Sequence, residues 1–158
     1  MEIVNSTEFR EFLGFVAKSG YADAKAPITQ LEDGSHDLVL EKDGFRFHDN
    51  WFGGEPYGGR EVISKDGKAF WMMVYYGEIK QGTGTPAEVY GVALKEALRQ
   101  PDIGLPVRGP KEFEATNGCR YSFEWKGSLD RFTGKEMIKD SDGKIVYTAE
   151  MSGGLVDV

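Results

Sequence analysis

The 158-residue chain has little of what metalloproteins and thiol enzymes are built around: one cysteine, Cys119, and two histidines, His36 and His48. A single thiol excludes an internal disulfide and a thiolate metal cluster. Two histidines twelve positions apart, with no second soft ligand, argue against a metal site. No Gly-x-Gly-x-x-Gly follows a strand pattern, and the chain has neither a phosphate-loop lysine motif nor a Gly-x-Ser-x-Gly elbow, so no cofactor is expected. His48 beside Asp49 does not make a base and its orienter, because strand neighbours point to opposite faces. Basic side chains are in deficit, 19 against 26 acidic, giving a formal charge of −7. That argues against nucleic acid as a partner, since phosphate binding needs a basic surface. No apolar run approaches membrane length, and Met1-Glu2-Ile3 lacks the basic-then-apolar opening of a leader. The expectation is a cytoplasmic protein without membrane contact.

What the chain does contain is an internal repeat. Gly44-Phe45-Arg46-Phe47 aligns with Gly118-Cys119-Arg120-Tyr121, and Tyr57-Gly58-Gly59-Arg60-Glu61-Val62-Ile63 with Phe132-Thr133-Gly134-Lys135-Glu136-Met137-Ile138. Asp66-Gly67-Lys68 meets Asp142-Gly143-Lys144, so the offset grows only from 74 to 76. Each copy begins with a helical pattern. In Thr7 to Lys18, Phe9, Phe12, Leu13 and Val16 form a stripe, with Ser6 or Thr7 as the cap and Gly20 past the end. In Pro86 to Arg99 the stripe is Val89, Val92, Ala93 and Ala97, capped by Thr85. Four strand patterns follow each helix: 37–41, 45–52, 58–64 and 68–78, then 111–115, 119–126, 129–139 and 144–151, with glycine closing the tight turns between them. The fold expected is α+β: a tandem duplicated αββββ unit with antiparallel strands, in one long sheet or two facing sheets, and both helices on one side. The chain reads as a single domain, 1–158, made of two repeats at about 6–80 and 85–155.

Strand parity suggests where chemistry would lie. Asp49 shares a face with Phe45, Phe47 and Trp51, and Arg108 or Arg60 is a candidate partner for it. Glu61 and Glu136 occupy the same slot of the two copies, each flanked by a glycine and a branched aliphatic residue. Each is either a wet-face or bulge-bound structural carboxylate, or part of a pair lining a pocket for a cationic group. The strand from Phe70 to Tyr76 is apolar on both faces, so both need cover: helix on one side, and a facing sheet, a second subunit or a ligand on the other. Trp71, Tyr75 and Tyr76 on that strand join Glu61, Glu136, Asp49 and Arg108 as candidate ligand-binding residues.

The segments Asp49-Asn50-Trp51-Phe52-Gly53, Trp71-Met72-Met73-Val74-Tyr75-Tyr76-Gly77, Arg108-Gly109-Pro110 and Gly153-Gly154-Leu155, with Tyr57 to Val62 and Leu94 to Arg99, resemble a prokaryotic domain family of unknown function, family 5680. The resemblance runs from Tyr21 to Leu155. Two positions depart from the family pattern: Val74 stands where asparagine is common and Ser152 where histidine is common. The resemblance implies no known activity. Fusion of relatives to helix-turn-helix regulators implies a sensing or interaction role. The expectation is a non-enzymatic domain that binds a small organic ligand, with a cationic lipophile fitting best, or that docks on a partner, in a homodimer. Two rivals stand beside it: an enzyme using Glu61 or Glu136 as general acid or base, and a purely structural homodimer module.

Overall fold

The structure is a computed structural model describing residues 3–157; Met1 and Glu2, on which the reading of the leader partly rests, lie outside the described residues. Helix α1 (Thr7–Ser19) starts at Ser6, whose Oγ accepts from the Phe9 amide at 3.1 Å. The second helical segment starts at Thr85, which forms a reciprocal capping box with Glu88. It runs as α2 (Pro86–Glu88), a π-helical stretch (Val89–Leu94) and α3 (Lys95–Leu98). The strands are β1 (Ile28–Gln30), β2 (His36–Lys42), β3 (Phe45–Phe52), β4 (Tyr57–Lys65), β5 (Lys68–Ile79), β6 (Glu112–Glu114), β7 (Arg120–Ser128), β8 (Arg131–Lys139) and β9 (Ile145–Leu155). Eight of these answer to the strand patterns of the sequence. The short edge strand β1 falls outside those patterns.

All nine form one antiparallel sheet in the order β1-β2-β3-β4-β5-β9-β8-β7-β6, so the alternative of two facing sheets does not hold. The β2–β3 hairpin turns through Asp43 and Gly44, both at positive φ (52° and 78°), which matches the right-handed twist of its strands. Both helices cover the same face. Phe9 and Phe12 of α1 pack on Phe45, and Tyr90 of the π stretch meets Tyr57 and Tyr147 edge-on. The opposite face of the central strands is bare within the chain. Val74 is 45% exposed and Tyr76 55%, so the cover expected for the second face of β5 is absent among the described residues. A register shift at Ile63/Ser64 corrects part of that expectation. It lets Phe70 and its neighbour Trp71 both be buried, so Phe70 packs on Phe9 of α1 rather than on the far face. No helix among the described residues is long and apolar enough to cross a membrane.

Candidate functional site: a cavity with an acid pair

Antiparallel pairing sets Asp49 of β3 directly opposite Glu61 of β4, and the neighbouring pair of β4 and β5 sets Gly59 opposite Tyr75. Residues so placed have Cβ atoms about 5 Å apart. The row faces the helices and borders a cavity of about 150 Å³. Its apolar walls come from α1 (Leu13, Val16), the sheet (Leu38, Phe47) and the second helical segment (Leu94, Leu98). Trp51, Tyr21, Tyr57 and Tyr90 supply aromatic wall, and Arg108, on the connection between α3 and β6, closes one side. Gly59 is required here: a Cβ on it would lie 2.4 Å from the Asn50 carbonyl oxygen and 2.7 Å from the Tyr75 hydroxyl.

The two carboxyl groups are held differently. Asp49 is 7% exposed and accepts a 2.5 Å hydrogen bond from Tyr75 Oη. Burial raises its pKa to about 6, against the pull of the Tyr75 bond and the Arg108 charge. Glu61 is 8% exposed, and its carboxyl group makes no hydrogen bond among the described residues. Burial first, and the Asp49 charge second, hold its pKa well above the usual carboxylate range. Burial and the two acids also raise the Tyr75 phenol, which therefore stays a donor at neutral pH.

Glu136 faces the same side of the sheet but has a different fate. It is 0% exposed and receives Arg108 in a fork, Nε to Oε2 at 3.0 Å and Nη2 to Oε1 at 2.7 Å. Tyr121 Oη donates to Oε2 at 2.5 Å and Tyr147 Oη to Oε1 at 3.2 Å, and Tyr147 is bonded in turn to Tyr57 Oη. This carboxylate is saturated and does not line the cavity. Asp49 forms an ion pair with neither candidate arginine. Arg108 belongs to Glu136, and Arg60, opposite Asn50 and Val74, is on the other face of the sheet.

Of the seven residues singled out by sequence, Asp49, Glu61, Tyr75 and Arg108 border the cavity, and Glu136 stands behind Arg108. Trp71 is fully buried elsewhere, stacked on Phe132 with Nε1 donating to the Leu129 carbonyl at 2.9 Å. Tyr76 is on the far face, with its ring over Gly58. Val74 and Ser152, the two departures from the family pattern, pair directly across β5 and β9 on that far face. Trp51 and Tyr57 were legible from parity, since they share rows with Asp49 and Glu61. Tyr90 was not, because a helical stripe drawn at α periodicity passes over it. Neither histidine lines the cavity: His48 Nε2 bonds Asp37 Oδ1 at 2.9 Å, and His36 stacks on Trp51. No group of His, Cys, Asp and Glu among the described residues is arranged to hold a metal ion.

Fold and site together define an α+β domain in which a helix-covered antiparallel sheet presents an acid pair to a cavity. The chain belongs to the family described as Domain of unknown function (DUF5680), which matches residues 49–156. No curated protein and no solved structure matches it significantly.

Proposed function

We propose that this domain is a non-enzymatic binding module that receives a small organic ligand, cationic at one end and apolar along its body, in the cavity between α1 and the second helical segment, and that it serves a sensing or regulatory role in the cytoplasm. The observation that carries this reading is Glu61, a carboxyl group buried against apolar walls with no hydrogen-bond partner among the described residues. Such a group costs free energy in the empty protein, and an ammonium group would relieve that cost. Trp51, Tyr57 and Tyr75 offer ring faces worth about 0.5–2 kcal/mol per desolvated cation contact.

Isoamylamine at neutral pH is the first probe. It should raise the melting temperature and change tryptophan fluorescence through Trp51. In Glu61→Gln both responses should vanish, while the ligand-free variant melts at the same temperature or higher. Loss of about 1–3 kcal/mol of stability in that variant, with no amine effect in either protein, would instead make Glu61 a structural acceptor.

One observation favours a second reading, the enzyme. Two opposed carboxyl groups, both with raised proton affinity, resemble a general acid and base. Glu61 would then be the reactive group rather than Glu136, whose oxygens are taken by Arg108, Tyr121 and Tyr147.

Two further expectations are carried as proposals. Duplication of an αββββ unit is supported by the register: Tyr75 pairs with Met151, its own counterpart at offset 76, and β4 and β8 flank the central strand pair symmetrically. A homodimer through the open face is supported by Val74 and Tyr76, exposed there side by side on one strand.

A further inference from the structure

We infer that the ligand is a monocation with two polar groups: an ammonium group held by Asp49 and Glu61 and, close beside it, an uncharged hydrogen-bond acceptor such as an amide carbonyl held by Arg108. The inference rests on the binding reading above and names the chemical class that site would take. Arg108 supplies the acceptor end. A guanidinium carries five N–H donors in a planar fork. Glu136 engages the Nε and Nη2 edge, while Nη1 donates to nothing among the described residues although Arg108 borders the cavity. The cavity therefore holds an unpartnered carboxyl group, Glu61, together with an unspent donor pair.

A charge count decides between an amide and a carboxylate at the Arg108 end. Arg108 and Glu136 neutralise each other as a buried pair. Two desolvated carboxyl groups on directly opposed residues do not ionise together, so Asp49 and Glu61 contribute a single negative charge. An ammonium group brings the buried site to zero. A ligand that added a carboxylate, as an amino acid does, would return it to minus one in a medium that penalises unpaired charge. The wall residues Leu13, Val16, Leu38 and Leu94 suit a branched aliphatic side chain beside the two polar groups.

Four probes carrying the same isobutyl group separate the contributions: isoamylamine has the cation alone, leucinamide the cation and a neutral acceptor, leucine the cation and a carboxylate, and 4-methylpentanamide the acceptor alone. Binding is followed by Trp51 fluorescence and thermal shift at a pH that keeps the amines protonated. Leucinamide should bind about tenfold or more tighter than isoamylamine and than leucine, the scale of one hydrogen bond to a charged group. 4-Methylpentanamide should bind weakest, and Glu61→Gln should erase the advantage of leucinamide over it. If isoamylamine binds and leucinamide binds no tighter, the acceptor assignment is overturned while the binding reading stands. Leucine matching leucinamide overturns the charge count. If none of the four binds, both readings fall together.

Discussion

An aspartate and a glutamate facing each other across two strands make folding respond to pH in an unusual direction. Most carboxyl groups in folded proteins are stabilised as anions, and here hydrogen bonds from Ser35 lower the pKa of Asp33, while for Asp37 burial is outweighed by hydrogen bonds from His48 and Asn50. Their contribution is present at neutral pH and is lost only as pH falls through their folded values, below about 4. Asp49 and Glu61 act oppositely. Their folded pKa values are raised, so the native state binds more protons than the unfolded chain between about pH 4 and each folded value. The stability this gives is full below about pH 4 and disappears as pH rises. For Asp49, shifted to about 6, the loss across that window is roughly 3 kcal/mol, and Glu61 adds in the same direction. Urea unfolding of the unliganded protein at steps from pH 4 to pH 7.5 should show stability falling as pH rises. The same series on Asp49→Asn and Glu61→Gln should be flatter. A wild-type slope of the opposite sign would mean that the pair is solvated or already bridged.

Among the elements, the strands and their faces are readable from sequence because a period of two leaves a strong trace wherever one face is dry. The parity of Phe45, Phe47, Asp49 and Trp51, and of Tyr57, Gly59, Glu61 and Ile63, survives intact into the sheet. Two irregularities defeat such reading. The register shift at Ile63/Ser64 moves Phe70 to the core side, and nothing in the run from Lys68 to Tyr76 marks the shift. The π stretch buries Val89 and Tyr90, then Ala93 and Leu94, and α3 continues with Ala97 and Leu98, a strict spacing of four that an α-helical stripe blurs. Glycines test the elements in opposite directions. Gly14 in α1 has open space where a Cβ would go, so Gly14→Ala should stabilise by about 0.5–1 kcal/mol through helix propensity. Gly59→Ala forces a Cβ onto the Asn50 carbonyl and should cost about 1–3 kcal/mol. Chemical denaturation of the two variants compares them directly, and Gly59→Ala should also weaken any amine response by displacing Tyr75.

For the whole molecule, the sheet order places β5 and β9 at the centre, so neither half of the chain has a completed sheet of its own. The sequence could show that Asp49, Glu61 and Tyr75 share a face. It offered Arg108 as a partner for Asp49 but could not show that this loop residue would pair with Glu136 instead and border the cavity, since that depends on where a proline-bounded connection runs in space. Nor could it show that Trp71, in the same row, would lie outside the cavity, stacked on Phe132 with its indole N–H donating to the Leu129 carbonyl. The open face bears on assembly. If Val74 and Tyr76 are buried between two copies, light scattering at tens of micromolar should give twice the 17.6 kDa chain mass, and Tyr76→Glu should return it to that of one chain. A monomer mass for the unmodified protein would leave the packing of Tyr76 on Gly58 as the reason for that side chain.

The connection carrying Arg108 is anchored more firmly than its irregular backbone suggests. The Gly109 amide donates to Tyr121 Oη at 3.2 Å, beneath a ring that leaves no room for a Cβ at that position, while the neighbouring guanidinium grips Glu136. On the clock of solvent exchange this loop should keep sheet time. In deuterated buffer the Gly109 amide should retain its proton as long as the central strands do, whereas the amide of Ile103, whose side chain is almost wholly exposed, exchanges at once. The Arg108 wall of the cavity is thus held in place by the sheet beneath it.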